Sequence, residues 1–225
     1  MTLDIIGTSH IARESLQEVK KAVESGQYDI IALELDGPRM QALLQKRTGT
    51  SIRDITRLGV KGYLFGLIGA WAEKKLGKMV GVSPGAEMIS AYKAAKKQKL
   101  KVALIDQRID ITLRNVSKQL SWREKWNFLV DILTGFFKRP ELEFDLTKVP
   151  SKEVIKKITQ KVKERYPNLY KVLVTDRNTV MARNLKTVMQ QNPGKRILAI
   201  VGAGHEDELR TLVMQDTITY SLSVG

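Results

Sequence analysis

At 225 residues and 25.4 kDa, with 43 % apolar and 28 % charged residues, the chain has the size and composition of one globular domain able to bury its own core. It contains no cysteine, which excludes a disulfide framework, thiolate zinc sites, iron–sulfur clusters and a cysteine nucleophile. Its 38 Lys plus Arg against 24 Asp plus Glu give a formal charge of +14, a balance suited to nucleic acid, anionic lipid or an acidic partner.

Met1-Thr2-Leu3-Asp4 runs straight into Ile5-Ile6-Gly7 with no basic leader, so no signal peptide is expected. The apolar run at 3–6 predicts a strand ending at Gly7. Leu16, Val19, Ala22 and Val23 fall at helical spacing, predicting a helix over 12–25 that Gly26 closes. Residues 30–33 read as a buried strand, and Pro38 stands where the first turn of a helix tolerates it. A helix is predicted over 83–99, a strand over 102–105, and a long helix over 169–191 that stops at Asn192-Pro193-Gly194. A strand over 197–201, a helix over 206–214 and a last strand over 218–222 complete the pattern. Strands that are almost wholly apolar, alternating with helices, predict an α/β fold: a central, largely parallel or mixed sheet covered by helices.

The middle of the chain differs. All three Trp and all five Phe lie between positions 65 and 144. Within a single domain spanning 1–225, we therefore expect residues 59–145 to contain a helical, aromatic-rich insertion. It would act as a lid over a cleft, pair with a second subunit or rest on a membrane surface, unless the aromatics simply pack against the sheet. No apolar run reaches the length of a membrane-spanning helix; the nearest, 59–72, is short and interrupted by Lys61. The basic residues are dispersed. Lys152, Lys156, Lys157, Lys161 and Lys163 interleave with Val154, Ile155, Ile158 and Val162, as on the solvated side of an amphipathic helix, which argues against a nucleic-acid arm.

The chain has two histidines, and both stand in the same context: Gly7-Thr8-Ser9-His10 and Gly202-Ala203-Gly204-His205 each follow an apolar strand and precede a helix. That places two imidazoles at the carboxyl edge of the sheet, where open α/β sheets bind ligands. A helix start disfavours the protonated ring and so leaves a neutral imidazole able to bind a metal or accept a proton. Glu34 follows the strand at 30–33. His10, Glu34 and His205 would make a three-ligand site with an open position for water. Asp36 reads as a helix N-cap, with Arg39 placed to pair with a nearby carboxylate. Asp106 ends the strand at 102–105, and Asp176-Arg177-Asn178 offers an arginine able to clamp an anion or join an internal ion pair. Glu206-Asp207-Glu208 reads as the acidic first turn of a helix. There is no P-loop, and Gly202-x-Gly204 is too short for a dinucleotide fingerprint.

In order along the chain, Gly7-Thr8-Ser9-His10, Glu34-Leu35-Asp36 with Arg39, Gly85-Ala86-Glu87-Met88, Leu104-Ile105-Asp106, Thr175-Asp176-Arg177-Asn178 and Val201-Gly202-Ala203-Gly204-His205 resemble the TraB family, which includes the PrgY pheromone-shutdown proteins. The family is similar to the Tiki metalloproteases and, more distantly, to erythromycin-esterase-like and ChaN-like proteins. The resemblance implies a divalent-metal centre favouring manganese or cobalt, with His10, Glu34 and His205 as ligands or catalytic groups and Glu87, Asp106, Arg177 and Asn178 lining or supporting the cleft. We therefore expect a divalent ion (manganese, cobalt or zinc) on His10, Glu34 and His205, Glu87 or Asp106 as general base, and Arg177 steadying a developing charge. Two features depart from the pattern. Gln107 separates Asp106 from Arg108, and Glu206-Asp207-Glu208 stands where a glycine is usual. Many members carry a C-terminal membrane region, so the sequence ending at Gly225 is expected either to be a soluble member or to stop short of that region. The expectation is thus a metal-dependent, peptidase-like hydrolase, with a non-catalytic peptide-sequestering module as the alternative. Expected partners are a peptide, a second copy and, through a missing C-terminal region, a membrane. The expected location is cytoplasmic or on the cytoplasmic side of a membrane.

Overall fold

The computed structural model describes residues 2–8, 13–45, 85–134 and 152–222. In chain order the elements are β1 (Thr2–Thr8), α1 (Arg13–Glu24), β2 (Ile30–Leu33), α2 (Gly37–Leu44), α3 (Ala86–Lys97), β3 (Lys101–Leu104), α4 (Ile109–Gln119), α5 (Trp122–Thr134), α6 (Lys152–Arg165), α7 (Pro167–Tyr170), a π-helical turn (Lys171–Thr175), α8 (Asp176–Gln191), β4 (Arg196–Gly202) and α9 (Glu206–Leu222). His10 and much of the aromatic insertion, including Phe65, Trp71, Phe136, Phe137 and Phe144, lie outside the described residues.

The four strands form one parallel sheet in the order β1-β4-β2-β3. Side-chain alternation sorts the strands onto two faces. Ile5, Ile30, Ala32, Ile197, Ala199 and Val201 pack with Met181, Ala182 and Leu185 of α8 and Leu209 and Val213 of α9. Ile31, Leu33, Leu198 and Ile200 pack with Val19 and Val23 of α1, Met40 of α2 and Met88, Ala91, Ala94 and Ala95 of α3. With both faces covered, the inner strands β2 and β4 are buried along almost their whole length, which is why their sequences read as continuous apolar runs rather than alternations.

Turn chemistry agrees with the local sequence. Gly26 closes α1 at φ 71°, and Asp36 caps α2 by accepting the Arg39 N–H at 2.6 Å, with Pro38 in the first turn. Gly7 lies inside β1, which runs on through Thr8. A Cβ there would meet Ala203 Cα at 3.1 Å and the Glu206 side chain, so glycine lets β1 lie against the loop that follows β4.

Two expectations need correction. Residues 218–222 are not a strand but the end of α9. Gln215-Asp216-Thr217 contains no breaker, so nothing stops the helix there, and the β-branched residues do not override it. The helix expected over 169–191 is divided, because α7 passes through a π-helical turn before α8 begins. α4, α7 and the π-helical turn gather around a smaller apolar cluster of Val116, Leu120, Leu169 and Val172. Trp122 and Trp126 do not pack on the sheet; they stand in solvent on α5.

Candidate functional site

The carboxyl ends of β2, β3 and β4 open on the same edge of the sheet, because the strands are parallel. Glu34 directly follows β2, Asp106 lies two residues beyond β3, and His205 starts α9 just after β4. The π-helical turn sets the phase of α8, whose first turn brings Arg177 and Asn178 to the same edge.

Arg177 is the hub. Its Nε donates to Asp106 Oδ1 at 3.0 Å and its Nη2 to Asp106 Oδ2 at 2.7 Å, a bidentate pair, while Nη2 also donates to Glu34 Oε1. Nη1 donates to the Leu173 carbonyl at 3.2 Å and lies 3.3 Å from His205 Nε2. Burial alone would disfavour the guanidinium charge, but Asp106 and Glu34 outweigh it and hold Arg177 charged, above its ordinary pKa. The other Glu34 oxygen accepts the Gly202 N–H at 2.6 Å, which joins β2 to the end of β4. Asp106 also accepts the Gln107 N–H at 2.7 Å and lies 3.4 Å from Arg39 Nη1. Arg39 thus pairs with Asp106, whereas Asp36 takes two backbone N–H groups, from Arg39 and, at 2.6 Å, from Ile109. Arg108 turns outward to Asp110, 2.9 Å away.

A second chain of contacts fixes His205. Glu208 is a carboxylate able only to accept, and the Asn178 amide Nδ2 donates to it at 2.9 Å. The Asn178 Oδ1 must then face His205 Nδ1, 2.7 Å away, so Nδ1 carries the proton and donates. In the neutral ring Nε2 is then the proton-free nitrogen, 3.3 Å from Arg177 Nη1 and 3.4 Å from Glu34 Oε1. Asn178 was expected only as a supporting residue, and Glu208 only as the acidic complement of a helix start. Their pairing depends on how α8 packs against α9, which no local pattern encodes.

Of the residues singled out from sequence, the structure brings Glu34, Asp106, Arg177 and His205 together. Glu87 is buried in the first turn of α3, the helix packed on β2, and His10 lies outside the described residues. The donors suit a divalent ion in one respect: two ligands each about 2.1 Å from a tetrahedral ion sit about 3.4 Å apart, the separation of Glu34 Oε1 and His205 Nε2. Asn178 on Nδ1 is the outer partner that metal-bound histidines usually have. The same two lone pairs meet the Arg177 guanidinium, and among the described residues no three His, Cys, Asp or Glu gather as a metal-holding group. A third ligand must therefore come from elsewhere, and His10 is the expected one.

A family model described as TraB/PrgY/gumN matches residues 2–207. An uncharacterised protein of Methanocaldococcus jannaschii is 33 % identical over 204 residues, covering 89 % of this chain and 50 % of the relative. A TraB domain-containing protein of Homo sapiens is 22 % identical over 227 residues, covering 89 % of this chain and 60 % of the relative. Its Bos taurus counterpart is 23 % identical over 229 residues, with 89 % and 59 % covered. The chain spans 50–60 % of the length of these relatives.

Proposed function

The chain belongs to the TraB/PrgY/gumN family, and from that membership and the Arg177-centred cluster we propose a divalent-metal-dependent hydrolase acting on a peptide-like bond. The observation that carries the reading is the pairing of Glu34 with a His205 whose Nε2 is kept proton-free by Asn178 and Glu208. In this reading Glu34, His205 and His10 hold the ion. A bound divalent ion supplies a water of lowered pKa and polarises the scissile carbonyl.

The protein's own groups do the rest. Arg177, anchored on Asp106, holds a positive charge beside Glu34 and His205, and its Nη N–H groups would reach a developing negative charge on a substrate oxygen by exchanging Glu34 or His205 for it. Asp106 has its oxygens taken by Arg177, Arg39 and the Gln107 N–H, so it orients the arginine rather than moving a proton. Glu87, buried in the first turn of α3, would be left as the general base. Elemental analysis of the purified protein, beside Glu34→Gln and His205→Ala, tests the metal, with stoichiometric divalent ion expected in the parent and lost in both variants. Glu87→Gln should keep the metal and lose turnover of a peptide library. Parent protein that binds no divalent ion after dialysis against it would overturn the metal reading.

One observation favours the alternative, a peptide-sequestering module. Arg177 already meets the Glu34 and His205 lone pairs, so the cluster is complete as an ion network without any ion. Mass spectrometry of recovered peptide separates the two readings, since sequestration returns it intact.

A further inference from the structure

Helix α5 turns its acids inward and its aromatics outward. Both of its carboxylates are buried: Glu124 accepts from the Ser121 N–H and Oγ at 2.9 Å each, the Asn168 N–H at 2.7 Å and Nδ2 at 2.9 Å, and the Leu169 N–H at 3.1 Å. Asp131 is gripped by Arg165 and the Tyr166 hydroxyl. The opposite face carries Trp122 at 85 % and Trp126 at 66 % exposure, one helical turn apart. At 100° per residue Arg123 and Lys125 flank that stripe on its two sides, and Lys125 Nζ stands 5.0 Å over the Trp122 ring.

An exposed indole pair is uncommon in a helix that has its own buried face, and here both acidic groups of the helix are withdrawn from that outer face, Glu124 into neutral donors and Asp131 onto Arg165. The outer face is left purely aromatic and cationic, in a chain of net charge +14. We propose that this face of α5 docks on an anionic phospholipid surface, with Trp122 and Trp126 in the interfacial layer and Arg123 and Lys125 on headgroup phosphates. Indoles with one apolar body and one N–H suit that layer, and the flanking cations supply the selection for anionic lipid. The surface lies apart from the Arg177 cluster and stands whether or not that cluster hydrolyses anything.

The test is partitioning of the full chain onto vesicles of phosphatidylcholine alone or mixed with phosphatidylglycerol, followed by flotation and tryptophan emission. Binding to the mixed vesicles with a blue shift is expected, and little binding to phosphatidylcholine. Trp122→Ala with Trp126→Ala should abolish both binding and shift while leaving the melting temperature unchanged, because neither ring is buried. A cation at an anionic surface is worth about fivefold in partitioning, so Arg123→Gln with Lys125→Gln should weaken it roughly 25- to 30-fold. Equal binding to both vesicle types, or binding and a shift that survive in the double tryptophan variant, overturns the proposal. So does a tryptophan-dependent dimer, or tryptophan-dependent binding of single-stranded nucleic acid, with no vesicle binding.

Discussion

Asn178 is fully buried and can satisfy its two neighbours in one orientation only, so it transmits the acceptor-only character of Glu208 into the protonation pattern of His205. With two histidines in the chain, long-range proton–nitrogen NMR can read that pattern directly. In the parent protein His205 should show a protonated Nδ1 and a bare Nε2; Asn178→Leu should remove that preference. Asn178→Asp puts a carboxylate beside Nδ1 and should raise the His205 pKa, as a close opposite charge does. An unchanged tautomer in Asn178→Leu would show that the ring is oriented by something else. Arg177 invites a different measurement. Its removal leaves Glu34 and Asp106 buried without their shared cation, a change that costs about 3–5 kcal/mol. In a domain of this size that lowers the melting temperature by about 6–20 °C. Calorimetry on Arg177→Met checks it, and a shift under a few degrees would mean the carboxylates have other support. The strand-end carboxylates and the His205 turn were legible because a charged or titratable group abutting an apolar run is a local signal. The convergence of Arg177 on Asp106 and Glu34 was not, since it joins residues 71 and 143 positions apart.

Helices α5 through α7 are tied by buried polar groups more than by apolar area, and that makes the docking of α5 responsive to pH at both extremes. Burial pushes the Glu124 carboxyl up, but hydrogen bonds from Ser121, Asn168 and Leu169 prevail and hold it below the ordinary value. A depressed carboxyl contributes stability that is present above the ordinary glutamate pKa, about 4.3, and is lost as pH falls through the folded value. The penalty of Glu124→Gln in urea unfolding should therefore be full near neutrality and shrink in acid below that point. Tyr166 runs the other way: burial and its bond to Asp131 push the phenol up to about 12. Its stabilisation is full below the ordinary tyrosine pKa, about 10, and disappears as pH rises from there to about 12. The difference between Tyr166→Phe and the parent should narrow over that window; a penalty independent of alkaline pH would place the hydroxyl's contribution in packing. At this scale the sequence was readable where a helix is bounded by a cap or glycine, as at Asp36 and Gly26. It was unreadable where a helix changes pitch without a breaker, as at Lys171–Thr175, because the apolar spacing on either side of a π-helical turn still looks helical.

β4 comes last of the strands yet lies between β1 and β2, so the sheet is not continuous until the end of the chain is in place. Alternating strands and helices made the α/β class legible, but strand order depends on which sides the crossovers take, and apolar runs that are buried on both faces all look alike. The position of β4 has an energetic consequence. Its Ile197, Leu198, Ile200 and Val201 are completely buried, each worth about 1.5–3 kcal/mol, so together they supply about 6–12 kcal/mol. That is of the order of the whole stability of a domain, about 5–15 kcal/mol. β4 also donates the Gly202 N–H to Glu34 and delivers His205 through the turn that follows it, so the fold and the site are completed by the same strand. A chain ended after Gln191 should consequently lose more than the site. It should show no cooperative thermal transition and little protection from proteolysis, because β1 has no partner strand and α8 and α3 keep only the β2–β3 part of the sheet they cover. Circular dichroism through a melt, with limited proteolysis alongside, decides the matter. A sharp transition in the shortened chain would mean that β2, β3 and the helices around them form a stable unit by themselves, with β1 and β4 added to it.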